Sequence, residues 1–268
     1  MAQVALSSWA VHAWIGRHSQ VRPGEPPDDA ILDQVCRLPR VAHGFTSLEI
    51  CDFHLRRDQS VFERLRVAAD EEETELFQLL IDHGDITHPT DSESNLLDIE
   101  GWIRAAAWGG FAGVRVIAGR QPPSRESIDR SVSGLCRLKA LGDELGVGVS
   151  TENWQALTAT PDVAIEILER SGVGLVLDFG NWTGPGKYDR LGRIARFATS
   201  CHAKCDFENG QPLIEDFETC LRIAKDAGFD GNLTLVHPEQ PDEWAALEPQ
   251  RAAVRRVFGL RSRLTSPG

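Results

Sequence analysis

Short apolar runs alternate with longer amphipathic stretches along the chain. Eight runs read as strands: residues 4–9, 47–52, 76–82, 113–118, 146–152, 173–178, 200–205 and 232–237. Most are rich in Val, Ile and Leu, as expected of strands covered on both faces. The stretches between them carry apolar groups at helical spacing. Residues 29–36, 128–141, 161–170, 217–227 and 243–258 are the clearest, and Leu135, Leu138 and Leu141 line one helical face. Pro161 stands where helices accept proline, and Ser171-Gly172 and Gly228 are helix stops.

Strand–helix alternation implies a parallel sheet. Eight units within 268 residues predict one α/β domain over residues 1–268, an eight-stranded parallel (β/α)₈ TIM barrel. The rival is an open doubly wound sheet. It would announce itself by a glycine-rich turn after the first strand, but that strand runs into Ser7-Ser8-Trp9-Ala10. No Walker A motif and no GxSxG elbow is present. His18 to Pro27 forms a proline-rich loop after strand one, on the face where barrels place active sites.

Charge narrows the partners. Lys and Arg number 28 against 40 Asp and Glu, a net charge of −12. Such a surface repels phosphate backbones, so nucleic acid is not an expected partner. The run Asp70-Glu71-Glu72-Glu73 reads as a solvated turn or helix end. No stretch is long and apolar enough to span a membrane, and the first residues lack the form of a signal peptide. The six cysteines follow no disulfide framework and read as reduced core thiols. A cytoplasmic location is expected.

In a parallel barrel the chemistry sits at the C-terminal ends of the strands. Strand five ends Ser150-Thr151-Glu152-Asn153-Trp154, strand six Leu177-Asp178-Phe179-Gly180-Asn181, and strand seven reads His202-Ala203-Lys204-Cys205-Asp206. Glu152, Asp178 and His202 are spaced 26 and 24 residues apart, one helix–strand step each. They can therefore converge above the barrel. Two carboxylates and an imidazole suit one divalent metal ion, Mn²⁺, Mg²⁺, Co²⁺ or Zn²⁺. An acidic residue after a strand can instead cap the next helix, but histidine is not a capping residue. Alternation puts His202 and Lys204 on one face and Cys201, Ala203 and Cys205 on the other. A zinc site made of those thiols and His202 is thereby disfavoured.

On these motifs the chain resembles the xylose-isomerase-like TIM barrels, the sugar isomerases, ketose epimerases and related dehydratases. The resemblance implies metal ligation by Glu152, Asp178 and His202, and contact of Lys204 with a substrate oxygen. It also implies a glutamate at the end of strand eight. Val236 falls at that position, leaving His237 and Glu239 as the nearby candidates, with Pro238 able to bend the chain between them. Glu239 is the expected fourth ligand and acid/base partner of Glu152. The implied activity is a metal-dependent sugar or keto-sugar isomerase or epimerase, working by proton transfer through an enediolate. A dehydratase or lyase of the same fold is the alternative, as is a non-catalytic sugar-binding barrel. The family's relatives include endonucleases, but those require more histidines and a basic surface. Several residues ring the same face: His12 and Trp14; Glu49 and His54; His83 and Asp85; Arg115 and Arg120; Trp9, Trp154 and Trp182. Taken singly, each reads as a surface or structural residue. Together, His54, His83, Arg115, His237 and Trp154 are the expected contacts to a small hydroxylated substrate. A homo-oligomer is compatible with the resemblance.

Overall fold

A computed structural model of the protein describes residues 2–15, 36, 37, 39, 40, 43–238 and 240–260. Eight strands, all parallel, close into a barrel: β1 (Gln3–Ser7), β2 (Ser47–Cys51), β3 (Glu75–Ile81), β4 (Gly113–Val116), β5 (Gly148–Glu152), β6 (Gly174–Asp178), β7 (Ala198–Lys204) and β8 (Asn232–Val236). Neighbours in the chain are neighbours in the sheet, and β8 pairs with β1 to complete the ring. The described helices are α1 (Gln59–Glu71), α2 (Ser92–Gly109), α3 (Arg125–Leu145), α4 (Pro161–Ser171), α5 (Lys187–Ile194), α6 (Ile214–Asp226) and α7 (Glu243–Phe258). A short antiparallel hairpin, Phe207–Glu208 with Gln211–Pro212, rises after β7. No described helix is long and apolar enough to cross a membrane.

The expected strands fall within two residues of the observed ones, and the differences have local causes. Strand one stops at Ser7 because the Ser7 hydroxyl accepts from the Trp9 N–H at 3.3 Å and opens a 3₁₀ turn, Ser8–Val11. Strand five starts at Gly148 because Gly146, at φ 72°, closes α3 in the left-handed region open to glycine. Pro161 opens α4 and Gly172 closes it, as read from the sequence. The acidic run after Asp70 ends α1 at Glu71. The proline-rich loop and most of the 29–36 segment lie outside the described residues.

Apolar packing fills the layer between barrel and helices. Leu79 and Ile81 of β3, Val114 and Val116 of β4, Leu177 of β6 and Cys201 and Ala203 of β7 are all buried in it. Five of the six cysteines are buried thiols; Cys136 is exposed. The barrel's own interior is polar. Gln78 donates to Ser150 Oγ at 2.6 Å, and Ser200 donates to Gln78 Oε1 at 3.2 Å. Buried polar groups favour pairing, and Gln78, Ser150 and Ser200 pair across the barrel. The strands carry mainly apolar side chains outward, while Gln78, Ser150 and Ser200 point inward. A small polar inner layer forms the floor beneath the strand ends.

Candidate metal centre at the strand ends

Three strand-end side chains meet above that floor. Glu152 ends β5, Asp178 ends β6, and His202 sits within β7, directly opposite Asp178 in the register. All three are buried, and one donor atom from each lies within 4.8 Å of the others. His202 Nδ1 is 3.3 Å from Glu152 Oε1 and 3.5 Å from Asp178 Oδ2.

The two carboxylates are held from outside the cluster. Asp178 Oδ1 accepts from the backbone N–H of Gly180 at 2.6 Å and of Asn181 at 2.7 Å, which leaves Oδ2 toward His202. Asn153 locks the strand end itself: its amide donates to the Asp178 carbonyl at 3.0 Å and accepts from the Asp178 N–H at 2.8 Å. Glu152 Oε1 accepts from the Asn181 amide at 2.7 Å. Glu152 Oε2 lies 3.0 Å from Arg115 Nε, a charge contact out of line for a hydrogen bond. Arg115, 2% exposed, also reaches Asp82 Oδ1 at 2.5 Å and the Ile81 carbonyl at 3.2 Å.

The charge balance favours a cation. Burial alone pushes the His202 imidazole toward neutrality. The Glu49 and Glu152 charges and hydrogen bonds to Asp178 and Glu152 outweigh it, and hold His202 well above its usual range. Burial would likewise raise the Asp178 carboxyl, but His202, the Lys204 charge and the Gly180 N–H keep it low. The trio thus binds a proton tightly at the point where its donors converge. Ligands about 2.1 Å from one ion sit roughly 3 Å apart, so these separations fit a single small divalent ion. Two hard oxygens and one imidazole match Mn²⁺, Mg²⁺, Co²⁺ or Zn²⁺ equally.

Of the other expected site residues, Arg115 and Trp154 adjoin the cluster and the rest make their own contacts around it. Glu239 lies outside the described residues. His237 is turned into its own loop, with Nδ1 2.8 Å from the Pro238 carbonyl and Nε2 3.3 Å from the Glu243 carbonyl. Among the described residues, strand eight brings no carboxylate to the cluster, since Val236 pairs with Lys204 in the register. Arg115 is buried in its ion pairs rather than open to a substrate. His83 bridges Asp52 and Asp98, its Nε2 2.6 Å from Asp98 Oδ2. His54 contacts Ser8 Oγ and His12, each at 2.9 Å. Trp154 packs beneath Arg115, whose guanidinium carbon is 5.3 Å from the ring centroid. It also lines an open cavity of about 430 Å³ with Asn153, Gln155, Asn181, Trp182 and Arg190. Gln155 is held there at φ 68°, a strained conformation for a side-chain-bearing residue. The Lys204 stem crosses Gly180 so closely that a Cβ there would stand 2.5 Å from its Cδ.

A sequence model for the xylose isomerase-like TIM barrel matches residues 41–256, which contain all three donors. The chain belongs to that family. Its fold is shared at low identity with solved members of the group. A xylose isomerase-like TIM barrel protein from Mycobacterium smegmatis, in complex with magnesium, is 16% identical with a TM-score of 0.72, covering 96% of each chain. An L-ribulose 3-epimerase is 17% identical with a TM-score of 0.74, covering 100% of each chain. A probable 3-DHS dehydratase from Bacillus anthracis is 16% identical with a TM-score of 0.69, covering 97% of this chain and 100% of its own. No curated protein sequence matches this chain. Among xylose-isomerase-like barrels, then, the same scaffold serves both epimerases and a dehydratase, and the reaction must be argued from the side chains present.

Proposed function

We propose that the protein is a divalent-metal-dependent isomerase or epimerase of a sugar or keto-sugar. The observation carrying this reading is the convergence of Glu152, Asp178 and His202 at the barrel mouth. A divalent ion held by these three would polarise a substrate carbonyl and so acidify the adjacent C–H.

The protein's own residues then divide the work. Asp178 presents Oδ2 to the centre because backbone N–H groups tie down Oδ1, and Glu152 presents Oε1. Glu152 takes the proton from carbon as general base on Oε2, which accepts no hydrogen bond, while Asn181 holds Oε1 in place. Lys204 brings positive charge beside the oxygen on which negative charge develops. The cavity lined by Trp154 and Trp182 receives the remainder of the sugar, its indoles offering apolar surface and its amides hydrogen bonds. Return of the proton to the neighbouring carbon, with the hydroxyl proton passing to the former carbonyl oxygen, gives isomerisation.

A lyase is the second reading, and one observation favours it. With Val236 opposite Lys204 and His237 turned away, the described part of strand eight supplies no second base on the other face of the substrate. A single base can remove a proton and return it to a departing β-hydroxyl, which leaves as water, whereas epimerisation needs a proton donor on the opposite side.

Calorimetric titration of chelator-stripped protein with Mn²⁺ should show saturable binding that Asp178→Asn abolishes. Keto-sugars incubated with loaded protein in D₂O should then acquire solvent deuterium at carbon. Mn²⁺ binding without deuterium in product or recovered substrate would refute proton transfer. Absence of Mn²⁺ binding would refute the metal reading itself.

A further inference from the structure

The sequence places Glu49 among several polar residues near the rim, with no assigned part. Its environment in the fold is distinctive. Glu49 lies on β2, is 0% exposed, and its Oε2 stands 2.9 Å from His202 Nε2. The two residues are 153 positions apart in the chain and face each other across the barrel interior. Glu49 Oε1 has no hydrogen-bond partner among the described residues, so the imidazole is the one directed contact of this carboxylate. Burying a carboxylate for a single hydrogen bond is costly to folding.

The contact falls on the opposite ring nitrogen from the cluster. Nδ1 faces Glu152 and Asp178, while Nε2 faces Glu49. A carboxylate has no proton to offer, so the Nε2–Glu49 contact requires the proton on Nε2. In the neutral ring that leaves the lone pair on Nδ1, aimed at the two carboxylate oxygens. Histidines that ligate metals are commonly fixed in this way by a carboxylate on the second nitrogen. The geometry points to Glu49 as the positioning residue of the centre: it sets the tautomer and the ring plane of His202 for metal ligation through Nδ1, without being a ligand itself. This inference rests on the metal-binding reading of the trio.

Two measurements on the full-length protein test it. Stripped wild type, E49L and D178N are titrated with MnCl₂ by calorimetry. Wild type should bind, D178N should not, and E49L, which has no acceptor for the Nε2 proton, should bind about 10–100-fold more weakly. E49L binding within about twofold of wild type would overturn the positioning role while leaving the metal centre intact; no binding by wild type would overturn both. Nitrogen-15 NMR of the Zn²⁺-loaded wild type tests the tautomer without any variant. A His202 ring proton on Nε2, with Nδ1 shifted by the metal, is expected, and a purely structural Glu49 would not demand it. A proton on Nδ1 would overturn the inference.

Discussion

Arg115 is the residue whose loss the structure makes most readily quantifiable. Its guanidinium is buried between Glu152 Oε2 at 3.0 Å and Asp82 Oδ1 at 2.5 Å, over the face of Trp154. Arg115→Met keeps much of the stem and removes the charge. Asp82 has 24% of its side chain exposed and can recruit water, whereas the Glu152 side chain is 4% exposed and cannot. Stranding one member of a buried pair costs about 3–5 kcal/mol. For a chain of this size each kcal/mol lowers Tm by about 2–4 °C, so metal-free Arg115→Met should melt roughly 6–20 °C below wild type. A divalent ion at the cluster would supply the missing positive charge beside Glu152. The loss should therefore shrink in saturating Mn²⁺. The assay is a pair of thermal melts for each protein, with chelator and with Mn²⁺. A metal-free loss under about 3 °C, corresponding to roughly 1 kcal/mol, would refute the stranded-charge reasoning. An equal loss in both conditions would refute the placement of the metal beside Glu152.

Three further outcomes are expected. His202 is raised in the folded state, so its contribution to metal-free stability is fully present below its unfolded value of about 6.5 and is lost as pH rises through the higher folded value. The Tm gap between wild type and His202→Gln in chelator should narrow as pH rises from 6 upward, and Mn²⁺ affinity should climb over the same interval as the competing proton leaves; a pH-independent gap would contradict this. Gly142→Ala would put a Cβ 2.4 Å from the Val147 carbonyl oxygen, and the Val147 N–H is itself bonded to the Gly142 carbonyl at 2.9 Å. A denaturant melt should register a loss of about 1–3 kcal/mol. Gly180→Ala would drive the Lys204 stem off its path. Deuterium exchange into substrate should fall while calorimetry still detects Mn²⁺ binding, and undiminished exchange would remove Lys204 from the reaction.

Much of the fold is legible along the chain because each element carries its own signal. The apolar runs mark the strands, Pro161 and Gly172 bound a helix, and alternation sends Cys201 and Ala203 outward and His202 inward. Helices α1, α2 and α5 were not among the clearest stretches. Lys187–Ile194 is short and carries three basic residues, so its apolar face is narrow. The cluster of Glu152, Asp178 and His202 was legible for a related reason: each lies at or near a strand end, and parallel connectivity forces successive strand ends to the same mouth. Strand eight resisted the same treatment. His237 occupies the right stretch of chain, but its orientation is decided by the Pro238 and Glu243 carbonyls, which no local pattern reveals.

The sequence by itself determined the alternation of strands and helices, the parallel barrel it implies, and the identity of three convergent donors. Those follow from periodicity and spacing, which are properties of the chain read in order. Only the tertiary structure decided which polar residues serve those donors. Glu49 reads locally as one acidic residue in an apolar strand, and Arg115 as one basic residue in another. Closing the barrel sets the first against His202 at 2.9 Å, and the pairing of β4 with β5 sets the second against Glu152 at 3.0 Å. Barrel closure brings together side chains from β2, β4, β5 and β7 that share no local pattern. In that buried interior each charge must find its partner on another strand rather than along its own.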